Sequence, residues 1–152
     1  MIANLFGPVE GKRHDASILA RSNILEQLST HSFDTNQKPL CIYGDPAYPN
    51  KVHLMTAFKG SSLTDQQREF NKRMSRCRVT VEWIFGDIVR HFAFTDFKQN
   101  LKLHLSPIGK IYIVSALLTN AHTSLYGNNT SRYFDASPPV LEDYFQAIQL
   151  LN

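Results

Sequence analysis

Leu40-Cys41-Ile42-Tyr43-Gly44-Asp45-Pro46 is the stretch on which the fold turns. Four apolar residues stopped by Gly-Asp-Pro read as a short buried strand that delivers a carboxylate from its C-terminal end. In open α/β sheets, active-site groups gather outside those strand ends. The expected fold class is therefore α/β, with Asp45 as its first chemical candidate. A weaker strand is expected over residues 52–58, and Gly60 ends that pattern.

Upstream, residues 1–6 are short, apolar and closed by Gly7-Pro8, which fits another strand. Asp15 is placed to N-cap a helix whose apolar face is Ile18, Leu19, Ile24, Leu25 and Leu28. Residues 29–38 are polar and loop-like, ending at Pro39. Downstream, Thr64-Asp65-Gln66-Gln67 is a capping box, in which the hydroxyl reaches forward and the Gln67 amide reaches back. Phe70, Met74, Cys77, Val81, Ile84, Phe85 and Ile88 follow at steps of three or four, the stripe of a long helix ending near Arg90. Ser106-Pro107 opens a further helix, apolar nearly all round from Ile108 to Leu118 and expected to be deeply buried. Tyr126-Gly127 ends it. Residues 128–139 read as a loop, and residues 140–151 as a last, loosely docked amphipathic helix.

The 152 residues amount to one domain's worth, with 43% apolar and 19% charged residues. That composition excludes a disordered tail and a coiled coil. A net charge of +3 does not by itself prove a nucleic-acid partner. Two cysteines, Cys41 and Cys77, make neither a disulfide framework nor a zinc motif. No apolar run is long enough to span a membrane, and residues 1–8 lack the features of a secretory signal. The triplets beginning at Asn128 and Asn129 match glycosylation sequons, a pattern common by chance.

Asp45 and Glu82 form the candidate pair. Glu82 sits beside the apolar stripe of the long helix, where it is expected to face partly inward. Two carboxylates converging from a strand end and a helix can hold Mg²⁺ or Mn²⁺, hard ions that prefer oxygen ligands. Such ions activate and stabilise the oxygens of phosphoryl transfer. The plainer alternatives are that Asp45 caps its own turn and that Glu82 pairs with Arg78 or Arg90. The same helix carries Arg68, Lys72, Arg73, Arg76 and Arg78 against Glu69. Arg68, Lys72 and Arg76, spaced by four, form a stripe that can meet backbone phosphates or simply face solvent. The histidines at 14, 31, 53, 91, 104 and 122 show no metal-ligand spacing, and His14-Asp15 reads as a helix start rather than a catalytic dyad.

Three groups of residues stand in one order: Gly11-Lys12-Arg13-His14-Asp15, Gly44-Asp45-Pro46-Ala47-Tyr48-Pro49, and Phe70-Asn71 with Ser75, Arg78, Val81-Glu82 and Phe85-Gly86. This ordered set resembles the PIF/Harbinger transposases and transposase-derived nucleases, DDE superfamily endonucleases, from about Met1 to about Asn120. The resemblance implies an RNase H-like core and three carboxylates around two divalent metals, Mg²⁺ or Mn²⁺. Asp45 matches the second carboxylate, in the family's Gly-Asp-x-x-Tyr motif. Glu82 matches the last, in Val-Glu-x-x-Phe-Gly. The step from position 45 to position 82 suits that assignment.

Two departures stand out. The family's Leu-His-Asn reads Leu118-Thr119-Asn120 here. No residue matches the family's first catalytic Asp, and Asp15 belongs to a separate His-Asp motif. The resemblance therefore implies a core that is N-terminally truncated, lacking its first two strands, with residues 1–126 as the partial nuclease domain and 127–152 as a C-terminal loop and helix. An exposed edge on the strand at 40–43 would invite self-association. Three functions compete: metal-dependent DNA cleavage and strand transfer, inactive in this chain for want of one carboxylate; a non-catalytic DNA- or protein-binding module; and a fragment without activity of its own. The resemblance further implies DNA as partner, a separate DNA-binding partner protein, no membrane, and a nuclear location.

Overall fold

The computed structural model describes residues 1–96 and 107–149. Its elements run α1 (Asp15–Arg21), α2 (Ile24–His31), β1 (Ile42–Tyr43), β2 (Leu54–Met55), α3 (Asp65–His91), a 3-10 turn (Ala93–Thr95), α4 (Ile108–Tyr126), α5 (Asn129–Tyr133) and α6 (Leu141–Gln149). Helices with a small sheet are compatible with the expected α/β class. The chain divides into two compact units, one of Val9–Arg78 and one of Met1–Pro8 with Val79–Asn152. Ser106 and Leu151, named as the ends of two expected helices, and His104 lie outside the described residues.

In the Val9–Arg78 unit, the single helix expected from Asp15 is two. Asn23 adopts a left-handed φ of 55°, and the Ser22 hydroxyl donates to the Leu19 carbonyl at 2.8 Å, which ends the first helix. His14, not Asp15, occupies the N-cap and makes no side-chain cap bond. Asp15 is instead the first helical residue, where the helix dipole favours its charge. α2 continues to His31, into the expected loop.

The two strands are shorter than the apolar runs that suggested them. They pair in parallel, Ile42 opposite Leu54 and Tyr43 opposite Met55. The Gly44 N–H extends the ladder to the Met55 carbonyl at 2.8 Å. Leu54 is the buried apolar centre of this unit among the described residues. His53 is buried beside it; its Nδ1 donates to the Leu40 carbonyl at 2.7 Å, and Phe33 meets its ring edge-on. Gly44 is required by space, because a Cβ there would lie 2.7 Å from Leu54 Cδ1 and 3.0 Å from Tyr48 Cδ2.

α3 begins as its sequence dictates. The Gln67 N–H donates to Thr64 Oγ1 at 3.2 Å, and the Thr64 N–H donates to Gln67 Oε1 at 2.9 Å. One turn on, Asn71 clamps the incoming loop: the Phe58 N–H donates to its Oδ1 at 2.9 Å, and its Nδ2 donates to the Phe58 carbonyl at 3.0 Å. Phe70 packs edge-on against Phe58.

In the second unit, residues 1–6 form no strand, contrary to expectation. With no strand beside it among the described residues, Ile2 bonds to a side chain. Its N–H donates to Asn120 Oδ1 at 2.8 Å, and Asn120 Nδ2 donates back to the Ile2 carbonyl at 2.8 Å. A second correction concerns α4. Its buried residues are Ser115, Ala116, Thr119, Asn120 and Thr123, while Val114, Leu117 and Leu118 are 53%, 43% and 49% exposed. Ser115, Thr119 and Thr123 satisfy their own hydroxyls by donating to the carbonyls of Ile111, Ser115 and Thr119 at 2.8–2.9 Å. Small side chains with internally paired hydroxyls allow close approach without an unsatisfied polar group. Helix α4 stops at Gly127, whose φ of 69° suits glycine. The expected loop after it contains α5, opened by a capping box between Asn128 and Ser131.

Candidate active site

Asp45 leaves the C-terminal end of β1 and is fixed at once by its own turn. Its Oδ1 accepts the Ala47 N–H at 2.9 Å, and its carbonyl accepts the Tyr48 N–H at 3.0 Å. This is an Asx turn, the plainer of the two sequence readings. The other oxygen, Oδ2, accepts from Arg78 Nη1 at 2.7 Å. The two side chains are 47% and 41% exposed. The Ala47 N–H first, and Arg78 second, hold the Asp45 carboxyl below its ordinary 3.8. Burial, with Asp15 and Asp45 as lesser causes, pushes the Tyr48 phenol above its ordinary 10.0, so it remains a donor at neutral pH.

Glu82 lies in the other unit and is exposed, a correction to the inward-facing border position expected for it. The buried face of α3 is Thr80, Ile84, Asp87 and Ile88. Glu82 stands two positions from both Thr80 and Ile84. At about 100° per residue, two steps turn a side chain to the far side of a helix. Neither expected ion pair of Glu82 forms: Arg78 goes to Asp45, and Arg90 Nη2 goes to Asp87 Oδ1 at 2.8 Å. Among the described residues Glu82 has no ion pair.

The basic stripe is thinner than its sequence. Arg68 pairs with Asp65 at 2.6 Å and Arg73 with Glu69 at 2.9 Å. Asp65 is the counter-charge that the tally of Glu69 alone omitted. Lys72 and Arg76 are exposed and without an ion pair among the described residues.

Carboxylate oxygens of this kind suit Mg²⁺ or Mn²⁺ in donor type. Among the described residues, however, no three His, Cys, Asp or Glu side chains gather into a group that could hold a metal ion. The donors fit in kind and fall short in number.

Sequence reasoning missed the Asp45–Arg78 pair. Its partners are 33 positions apart, and no local spacing signals it.

Residues 2–120 match the protein family described as DDE superfamily endonuclease. No curated protein and no solved structure matches the chain.

Proposed function

The chain belongs to the DDE superfamily endonuclease family, and from that premise we propose that residues 1–126 are a transposase-derived nuclease stretch of PIF/Harbinger type, followed by a C-terminal loop and helix. The observation that carries this reading is the position of Asp45. It is a partly exposed carboxylate at the C-terminal end of a strand paired in parallel, within the matched region. Asp45 and Glu82 are the two carboxylates assigned to the divalent ions, Mg²⁺ or Mn²⁺, that serve DNA cleavage and strand transfer. Held by these residues, such ions would supply polarisation of the phosphodiester and activation of the attacking oxygen. The protein's own share is to hold Asp45 in one rotamer through the Ala47 N–H.

A third carboxylate is needed to place two metals, and no residue of the matched stretch supplies it by motif. These residues alone are therefore proposed to be inactive, within a fold of RNase H-like type. The test is nicking of a supercoiled plasmid with Mg²⁺ or Mn²⁺. No nicking above buffer is the expected result. Divalent-dependent nicking that vanishes in Asp45→Ala overturns the inactivity.

The alternative is a non-catalytic DNA- or protein-binding module. Lys72 and Arg76, exposed and without an ion pair among the described residues, favour it. It predicts DNA binding that weakens with salt, is indifferent to Glu82→Gln, and loses about two units of log-log salt slope in the Lys72→Ala, Arg76→Ala double variant. The two-stranded sheet with exposed Leu40, Ile42 and Val52 supports self-association through its edge. Family membership supports DNA as partner, a separate DNA-binding protein and a nuclear location. Binding unchanged between low and high salt contradicts this alternative.

A further inference from the structure

We infer that a polar cleft formed by α4, α5 and the end of α3 is a binding site for a phosphate monoester, with Arg132 as its main anion-binding side chain. The cleft lies wholly within the unit that contains Val79–Asn152 and involves neither Asp45 nor Glu82. Its volume is about 210 Å³, too small for a drug-sized ligand and suited to a compact polar group. Thr119 and Thr123 line it, and both hydroxyls are turned back onto α4 carbonyls at 2.8 and 2.9 Å. Gly127 lets the chain leave α4, and Asn128 starts α5 directly after it. Asn128 Nδ2 donates to Thr123 Oγ1 at 3.4 Å, which ties the start of α5 to α4. One turn further on, Arg132 reaches the cleft.

The charges of the cleft favour an anion. Arg90 and Arg132 line it together with Asp87. The Asp87 carboxylate is already committed, because its Oδ1 accepts from Arg90 Nη2 at 2.8 Å. Its side chain is 12% exposed and that of Arg90 is 68% exposed. A guanidinium carries five N–H donors, so Arg90 is held in place with donors to spare. Arg132 is exposed and has no ion pair among the described residues, which leaves its positive charge uncompensated. His91, His122 and Tyr126 stack in succession along another wall, with ring centroids 4.6 and 4.8 Å apart. Each imidazole has a ring N–H to offer. Guanidinium forks and imidazole donors around a small volume match the three acceptor oxygens and near-double charge of a phosphate monoester.

The test is an NMR titration of the full chain, with the His122 ring and the Asn129 side-chain amide as reporters in the cleft. The probes are adenosine 5′-monophosphate, adenosine, and a short oligonucleotide with and without a 5′-phosphate. Wild type is compared with Arg132→Gln and with Lys110→Gln, which removes an equal charge from the first turn of α4. Lys110 lies about 18 Å along the helix from His122, beyond the screening length at physiological salt. Saturable shifts are expected with adenosine 5′-monophosphate and none with adenosine. Affinity falls at least about fivefold in Arg132→Gln, as for loss of a charge-assisted contact, and less than about twofold in Lys110→Gln. The oligonucleotide arms separate the sources of the phosphate. Shifts from the phosphorylated strand alone assign the site to a strand end, and shifts from neither strand assign it to a free mononucleotide. Equal binding of both strands would show that a running backbone suffices and would overturn the monoester site. Equal losses in Arg132→Gln and Lys110→Gln, or no saturable shift with adenosine 5′-monophosphate, would also overturn it. Unchanged amide shifts elsewhere in the unit confirm that each variant is folded.

Discussion

Asn71 and Asn120 do similar work in different surroundings. Each lies on a helix, each accepts a backbone N–H on Oδ1, and each returns an Nδ2 bond to the carbonyl of the same residue, Phe58 in one unit and Ile2 in the other. An asparagine amide presents the same donor and acceptor as one residue of a strand. In the Val9–Arg78 unit the clamp is exposed and sits next to a short parallel ladder and a phenylalanine pair. In the other unit Asn120 is 3% exposed and takes the place of a strand partner for a segment that has none among the described residues. Asn120 Nδ2 also reaches the Tyr144 hydroxyl at 3.2 Å, so it ties α6 in as well. The difference teaches that the cost of losing such a clamp is set by burial rather than by the number of bonds drawn. Apolar packing differs too. Among the described residues Leu54 is the buried hydrophobic of the Val9–Arg78 unit, whereas Ile84, Ile88 and Ala116 share that role in the other.

The largest expected effect follows from that asymmetry. Leu54→Ala removes the apolar centre of its unit and costs about 3 kcal/mol, read as a fall in the urea midpoint. A loss below about 1 kcal/mol would show that the half-exposed residues around it carry the packing. Asn120→Ala comes next, at about 2 kcal/mol, because the Ile2 N–H and carbonyl lose their partner in a buried place. Gly44→Ala costs about 1.5 kcal/mol by pushing Leu54 and Tyr48 aside; a crystal structure of the variant with both side chains unmoved would contradict it. Asn71→Ala costs about 1 kcal/mol, since water can reach the Phe58 groups. Equal losses for Asn71→Ala and Asn120→Ala would break the comparison. The smallest effect is electrostatic. The folded-state pKa of Asp45 lies below its unfolded 3.8, so its contribution is complete above that value and is lost as pH falls through the folded value. Acid titration of wild type against Asp45→Asn should show a steeper loss on the acid side for wild type.

Local features were legible in the sequence. The Thr64 capping box and the long helix after it follow from spacings of three and four residues, and the Asp45 turn follows from Gly-Asp-Pro. The Asn128 and Ser131 box has the same local signature and was passed over as part of a sequon. Features that depend on distant partners were not legible. The Ile2–Asn120 pairing joins residues 118 positions apart, and an apolar run at 1–6 cannot reveal that its partner is a side chain. Helix α4 misled because its hydrophobic residues outnumber its small ones, while close approach selects the small face. Asp45 and Glu82 were named as candidates from the sequence. The outward turn of Glu82 was not, because the apolar stripe of α3 is wider than the face it buries. Arg78 was read as a partner for phosphate or for Glu82, and the structure gives it to Asp45.

Mn²⁺ binding by the full chain, counted as the loss of free-ion signal in electron paramagnetic resonance, tests the central claim most directly. Wild type, Asp45→Asn and Glu82→Gln are compared at equal concentration. Each substitution is expected to lower bound Mn²⁺ below wild type. Bound Mn²⁺ that is the same in Asp45→Asn as in wild type would contradict it.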